Sequence, residues 1–179
     1  MVHIANGLKS LHDKKILHRD LKGANIFITA DGKYKIGDLN VSKVIKYDCA
    51  KTQTGTPYYA SPEVWKDQPY GTKSDMWSLG CVLYEMAAQK PPFTASDIQS
   101  LYKKICNGSF IRIPPEYSNE LASVISLLLK INPNDRPSAC ALLNNPIVQD
   151  HYGDRPLNNV SWENDELLRT IKLNSRNYK

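Results

Sequence analysis

Four side chains in the first forty residues could do chemistry together: Asp20, Lys22, Asn25 and, further on, Asp38. An ionised carboxylate such as Asp20 can orient a hydroxyl and accept its proton. Asn25 and Asp38 bring two hard oxygens, the ligand type that Mg²⁺ prefers, and Mg²⁺ commonly takes only one or two ligands from the protein. Lys22 stands two residues past Asp20 and supplies a compact positive charge for an anionic group. Taken singly, each of these residues reads as a solvated loop side chain. Their combination in one short stretch is what suggests a site.

The stretch His18-Arg19-Asp20-Leu21-Lys22-Gly23-Ala24-Asn25 has the form H-R-D-L-x-x-x-N and resembles the catalytic loop of protein kinases. That resemblance implies ATP and Mg²⁺, with Asp20 accepting the substrate proton, Lys22 reaching the transferred phosphate, and Asn25 and Asp38 holding the metal. The lysine at position 22 is the mark of serine/threonine kinases. Gln53-Thr54-Gly55-Thr56-Pro57-Tyr58-Tyr59-Ala60-Ser61-Pro62-Glu63 resembles the end of a kinase activation segment, with Ser-Pro-Glu where Ala-Pro-Glu is usual. By the same resemblance Thr56 bonds to Asp20 and Lys22, and Phe27 lies beneath the adenine ring. Glu63 is expected to pair with Arg136 of Asn134-Asp135-Arg136-Pro137, because a buried carboxylate without a cation is costly. Breaking that pair should unfold the activation segment.

Tyr34-Lys35-Ile36-Gly37-Asp38, Gly55-Thr56-Pro57-Tyr58-Tyr59 and Trp77-Ser78-Leu79-Gly80-Cys81-Val82-Leu83-Tyr84-Glu85-Met86 narrow the resemblance to the NIMA-related kinases, over residues 1 to about 150. In that family a phosphorylated residue lies three before the Gly-Thr-Pro glycine, which is Thr52 here, and Arg19 is the expected phosphate partner. The phosphate would come from an upstream kinase or from self-phosphorylation, and would order residues 40 to 56. Asp38-Leu39-Asn40 stands where Asp-Phe-Gly is usual. Asparagine tolerates positive φ better than most residues, so a stiffer but intact turn is expected.

The fold class expected to hold these residues is mainly α: a protein-kinase-like large lobe, a helical bundle with a small β-hairpin carrying the catalytic and metal-binding loops. Val2 to Lys15 reads as a helix with Ile4, Leu8 and Leu11 on one face. Short strands over 25–29 and 33–36 flank Asp31-Gly32, a dipeptide suited to positive φ in a tight hairpin turn. Residues 71–90 read as a central helix buried on every side, with Trp77, Leu79, Val82, Leu83 and Met86 all assigned to core. Thr72-x-x-Asp75 could cap its start, while the resemblance implies that Asp75 braces the catalytic loop backbone. Further helices are expected over 96–107, with Ile98, Leu101, Tyr102 and Ile105 inward and Gly108 as the stop, from Ser118 to before Asn132-Pro133, and over 138–145.

The composition, 179 residues with 41% hydrophobic, suits one domain over 1–150 followed by a polar tail over 151–179, in which Leu167, Leu168, Ile171 and Leu173 form a short amphipathic stretch. Cys49, Cys81, Cys106 and Cys140 are scattered without metal-ligand spacing, which suits a reducing compartment. The net charge of +5 is spread along the chain, so nucleic-acid binding is not expected, and no apolar run approaches the length of a membrane span. The chain begins at the helix before the catalytic loop, so the small lobe, with its Gly-rich loop and anchoring lysine, is expected to be absent. An incomplete gene or alternative start is the favoured reason, and little or no activity is expected of the chain alone. The leading reading is a serine/threonine kinase acting on protein substrates. The alternative is a non-catalytic scaffold, or pseudokinase-like module, that keeps the substrate-docking lobe. Resemblance implies a cytoplasmic setting near microtubules or cilia.

Overall fold

Helix α1, Val2–Asp13, turns its buried residues Val2, Ile4, Ala5 and Leu8 to the interior and packs against the bundle. Its C-terminus closes with Lys15 in the left-handed region, φ 61°, with Lys15 N–H donating to His12 O and Ile16 N–H to Leu11 O. This is a Schellman stop built on lysine instead of glycine, and it leads the chain into the segment His18 to Asn25. The computed structural model describes residues 1–39 and 57–152. Asn40, Thr52 and Thr56 lie outside the described residues, as does the tail beyond Tyr152.

Strands β1, Ile26–Ile28, and β2, Tyr34–Ile36, pair antiparallel with Ile26 opposite Ile36. Gly32 N–H donates to Thr29 O and Thr29 N–H to Lys33 O, so three residues make the loop. Only Gly32 takes a positive φ, 76°; Asp31 does not, which corrects the expectation that both would. The hairpin lies on α1, where the side chain of Ile36 comes within 3.0 Å of the position a Cβ on Gly7 would occupy.

Helix α2, Pro62–Trp65, begins with proline at its first position, where the missing N–H is harmless. Helix α3, Thr72–Ala88, is the axis of the bundle, with Met76, Trp77, Leu79, Cys81, Val82 and Leu83 all buried. Met86 is 52% exposed, so the helix is covered on most of its circumference but not all. The expected capping box is also different: Gly71 caps the helix and its N–H donates to Ser74 Oγ, which leaves Asp75 for other partners. Trp77 stacks on Phe93 with centroids 5.5 Å apart, and Phe110 meets Phe93 edge-on.

Helix α4, Ile98–Asn107, is capped by Asp97, which accepts from Ser100 N–H at 2.8 Å, and stops at Gly108, φ 64°. Leu101 and Ile105 are buried, whereas Ile98 is 61% and Tyr102 37% exposed. The inward stripe is therefore narrower than its four apolar residues suggest. Helix α5, Asn119–Leu128, packs on α3 where Gly80 leaves room for the Leu128 and Leu129 side chains. Helix α6, Ala139–Leu143, packs on α1, and α7, Pro146–Tyr152, is a helix that the sequence reading missed. The mainly α architecture with one small hairpin holds.

Candidate functional site

The segment leaving α1 runs across the N-terminal part of α3, and its backbone is held by Asp75. The Asp75 carboxylate is fully buried. Its Oδ2 accepts from His18 N–H at 3.1 Å and pairs with His12 Nε2 at 2.8 Å; its Oδ1 accepts from Arg19 N–H at 3.1 Å and from the Tyr70 hydroxyl at 2.5 Å. Burial alone would raise the Asp75 carboxyl, but these donors outweigh it and hold its pKa below the usual carboxylate range. Arg19 has φ 69°, a left-handed conformation that a residue with a Cβ adopts at some cost. The two amides that lead into the bend, those of His18 and Arg19, are both held by Asp75.

The bend presents Asp20. Its Oδ2 accepts from Lys22 Nζ at 2.8 Å and from Asn25 Nδ2 at 3.1 Å, and Asn25 Nδ2 also donates to Asp20 O at 2.7 Å. Two consequences follow. Among the described residues Lys22 and Asn25 both bond to Oδ2, so Oδ1 is the Asp20 oxygen they leave to other partners. With Asn25 Nδ2 committed to Asp20, the Asn25 Oδ1 acceptor faces the other way, where a cation could take it.

Asp38 reaches the same neighbourhood through the hairpin. Gly37 N–H donates to Asn25 O at 2.9 Å, continuing the strand pairing by one step past Ile36. His18 ties the two loops: its Nε2 bonds to Gly37 O at 3.1 Å and its Nδ1 accepts from Asp20 N–H. Burial lowers the His18 pKa, which keeps the neutral ring with one donor and one acceptor that these two bonds require. Asp38 itself is exposed and has φ 55°, so this turn carries a second left-handed non-glycine residue beside the site. Phe27 is 55% exposed and its ring lies against Gly37, where a Cβ would come within 2.5 Å of it. A larger residue there would have to displace the exposed Phe27 ring.

Glu63 and Arg136 meet at the far side of α3. Arg136 Nη1 and Nη2 donate to Glu63 Oε1 and Oε2 at 2.7 and 2.8 Å, and Ser74 Oγ donates to Oε1 at 2.7 Å. The remaining guanidinium donors go to the carbonyls of Lys130, Lys73 and Ile131, so all five N–H groups of Arg136 are used. Its guanidinium also lies 4.9 Å from the Trp77 ring centroid. Burial would raise the Glu63 carboxyl, but Arg136 and Ser74 outweigh it and hold it below the ordinary range.

The structure thus brings Asp20, Lys22 and Asn25 into direct contact and sets Asp38 beside them, with Asp75 beneath and the Glu63–Arg136 pair anchoring α2. Sequence reasoning missed Tyr70, His12 and Ser74. A shared polar partner leaves no periodic signal, and only Ser74, between Gly71 and a long apolar run, had a readable cap position.

Residues 1–148 match the protein kinase domain family. The chain is 48% identical over 144 residues to the serine/threonine-protein kinase Nek1 of Mus musculus, covering 79% of this chain and 12% of that protein. It is 46% identical over 151 residues to Nek5 of Homo sapiens, covering 83% and 21%, and 40% identical over 174 residues to Nek2 of Homo sapiens, covering 93% and 39%. The chain belongs to the protein kinase family, in its NIMA-related branch. It spans between 12% and 39% of the length of these three relatives.

Proposed function

We propose that this chain carries the catalytic loop of a serine/threonine kinase that transfers the γ-phosphoryl group of ATP to protein hydroxyls. The observation that supports it is the set of bonds that ties both Lys22 and Asn25 to one oxygen, Oδ2, of Asp20 among the described residues. In that role Asp20 Oδ1 orients the substrate hydroxyl. As the hydroxyl oxygen bonds to the γ-phosphorus and the bond to the β-bridging oxygen breaks, Asp20 takes the proton and ADP leaves. Lys22 Nζ balances charge on the transferred group while keeping Asp20 in place.

The donor set suits Mg²⁺. Asn25 Oδ1 and the Asp38 carboxylate are hard oxygens on adjoining loops, and among the described residues no cluster of three or more His, Cys, Asp or Glu offers a closed cage, in keeping with a cation that completes its shell with phosphate and water. Asn25 and Asp38 are the residues that would hold the ion, which when bound neutralises phosphate charge. Phe27 offers an apolar face for the nucleotide base, and phosphate on Thr52 paired with Arg19 is the regulation this reading carries. The test is transfer of labelled phosphate from ATP by the full-length protein. Asp20→Asn should lower kcat by about 10³-fold or more, since it removes the proton acceptor and a charge at the reacting centre. Wild-type turnover in that variant would defeat the assignment of Asp20, and absence of transfer by the wild-type protein would favour a scaffold role.

A further inference from the structure

Asp75 has four acceptor positions and four donors. A carboxylate offers about four lone-pair directions, and His12, His18, Arg19 and Tyr70 fill them, two on each oxygen. Since the residue is fully buried, a lost donor cannot be replaced by bulk water. Two of the four are the amides that shape the bend before Asp20. The third, His12, comes from α1, the helix that leads into that bend. The fourth is Tyr70, from the connection between α2 and α3, and it shares Oδ1 with the Arg19 amide.

We propose that Tyr70 is a positioning residue for the catalytic loop, acting through Asp75. Its hydroxyl fixes the rotation of the carboxylate so that Oδ1 stays aimed at Arg19 N–H, the bond that holds Arg19 at φ 69°. Without the hydroxyl, Oδ1 keeps one donor while Oδ2 keeps two. The carboxylate is then free to turn, and the left-handed bend loses the partner that secures it. Asp20 follows directly and moves with it. Tyr70 also stands a few residues past Glu63, so the same connection that begins at the Arg136 anchor ends on the catalytic loop. This role rests on the catalytic reading given above, but its effect on the loop is measurable apart from chemistry.

The experiment is Tyr70→Phe in the full-length protein, which keeps the ring and removes one oxygen. Hydrogen exchange is followed in a peptide containing His18 and Arg19, and in peptides from α3 and α5, alongside kcat and KM. The expected result is exchange at His18 and Arg19 faster by roughly ten-fold, the effect of one bond to a charged group, with α3 and α5 unchanged. kcat should fall by a similar factor with KM within two-fold. Asp75→Asn should produce a larger effect, and Tyr70→Phe added to it should produce none, because both act at one carboxylate. Unchanged exchange in the loop, a uniform rise through α3 and α5, an unchanged kcat, or additivity with Asp75→Asn would each overturn the proposal. Asp20→Asn in the same series separates the two readings: if it keeps full turnover, the catalytic reading fails, while loop exchange in Tyr70→Phe still decides whether Tyr70 holds the bend.

Discussion

Arg136→Met substitutes an uncharged side chain of nearly the same reach and leaves Glu63 as a buried carboxylate whose remaining side-chain donor among the described residues is the Ser74 hydroxyl. Orphaning one member of a buried ion pair costs about 3–5 kcal/mol. The carbonyls of Lys130, Lys73 and Ile131 also lose their donor, at about 1 kcal/mol each, which makes the total about 6–8 kcal/mol. Domains have about 5–15 kcal/mol in all, so this variant should be unfolded or nearly so without denaturant. Adding Glu63→Leu removes the stranded charge, and only the carbonyl cost of about 3 kcal/mol remains. The double variant should therefore be more stable than the single one. Urea unfolding followed by far-ultraviolet circular dichroism measures this directly. With a slope of about 2 kcal/mol per molar, the double variant should have its midpoint about 1.5 M below wild type. A single variant that loses under about 2 kcal/mol, or a double variant less stable than the single, would refute the reasoning.

Gly80→Ala would place a Cβ 2.8 Å from Leu128 Cβ and 2.9 Å from Leu129 Cδ2, so it should destabilise by about 1–3 kcal/mol despite the better helix propensity of alanine; a thermal melt at or above wild type would contradict the close packing of α3 on α5. Ser61 is buried and its Oγ has no partner among the described residues, so Ser61→Ala should be neutral or stabilise by up to about 1 kcal/mol, and a clear loss in urea midpoint would count against this. Stability should also depend on acid in two stages. His18 has a folded pKa below its ordinary 6.5, so the unfolded chain binds the proton more readily; its contribution is complete above 6.5 and declines as pH falls below it. Glu63 and Asp75, held below their ordinary 4.5 and 3.8, contribute fully above those values and lose that contribution on further acidification. A urea midpoint that rises between pH 6.5 and 5 would contradict the His18 assignment.

The legible part of the site was the contiguous part. Asp20, Lys22 and Asn25 sit within a single loop, so their spacing in the chain is close to their spacing in space. Glu63 and Arg136 were legible despite the distance between them in sequence, because the family pattern and the cost of burying a lone carboxylate point to the same pair. Tyr70 and His12 were not, since nothing local marks a tyrosine or histidine whose hydrogen-bond partner comes from another helix. The resemblance pointed to Asp75 as a partner of the loop backbone, and it accepts from the His18 and Arg19 amides; its helix-start position also suggested a capping box, but the side chain that pairs with the cap residue Gly71 is Ser74. Met86, Ile98 and Tyr102 show the limit of apolar periodicity, which marks an inward stripe without setting its width. Helix α7 carried a signal that was passed over: Asn145 accepts from Ile147 N–H at 3.0 Å and Pro146 opens the helix, a start pattern in which proline belongs.

The most direct test of the site is a crystal structure of the full-length protein with Mg²⁺ and a non-hydrolysable ATP analogue. Asn25 Oδ1 and an Asp38 oxygen should lie about 2.0–2.1 Å from the metal, with Lys22 Nζ on the terminal phosphate and Asp20 Oδ1 facing the substrate side. A nucleotide bound with neither Asn25 nor Asp38 on the metal would contradict the assignment of these residues.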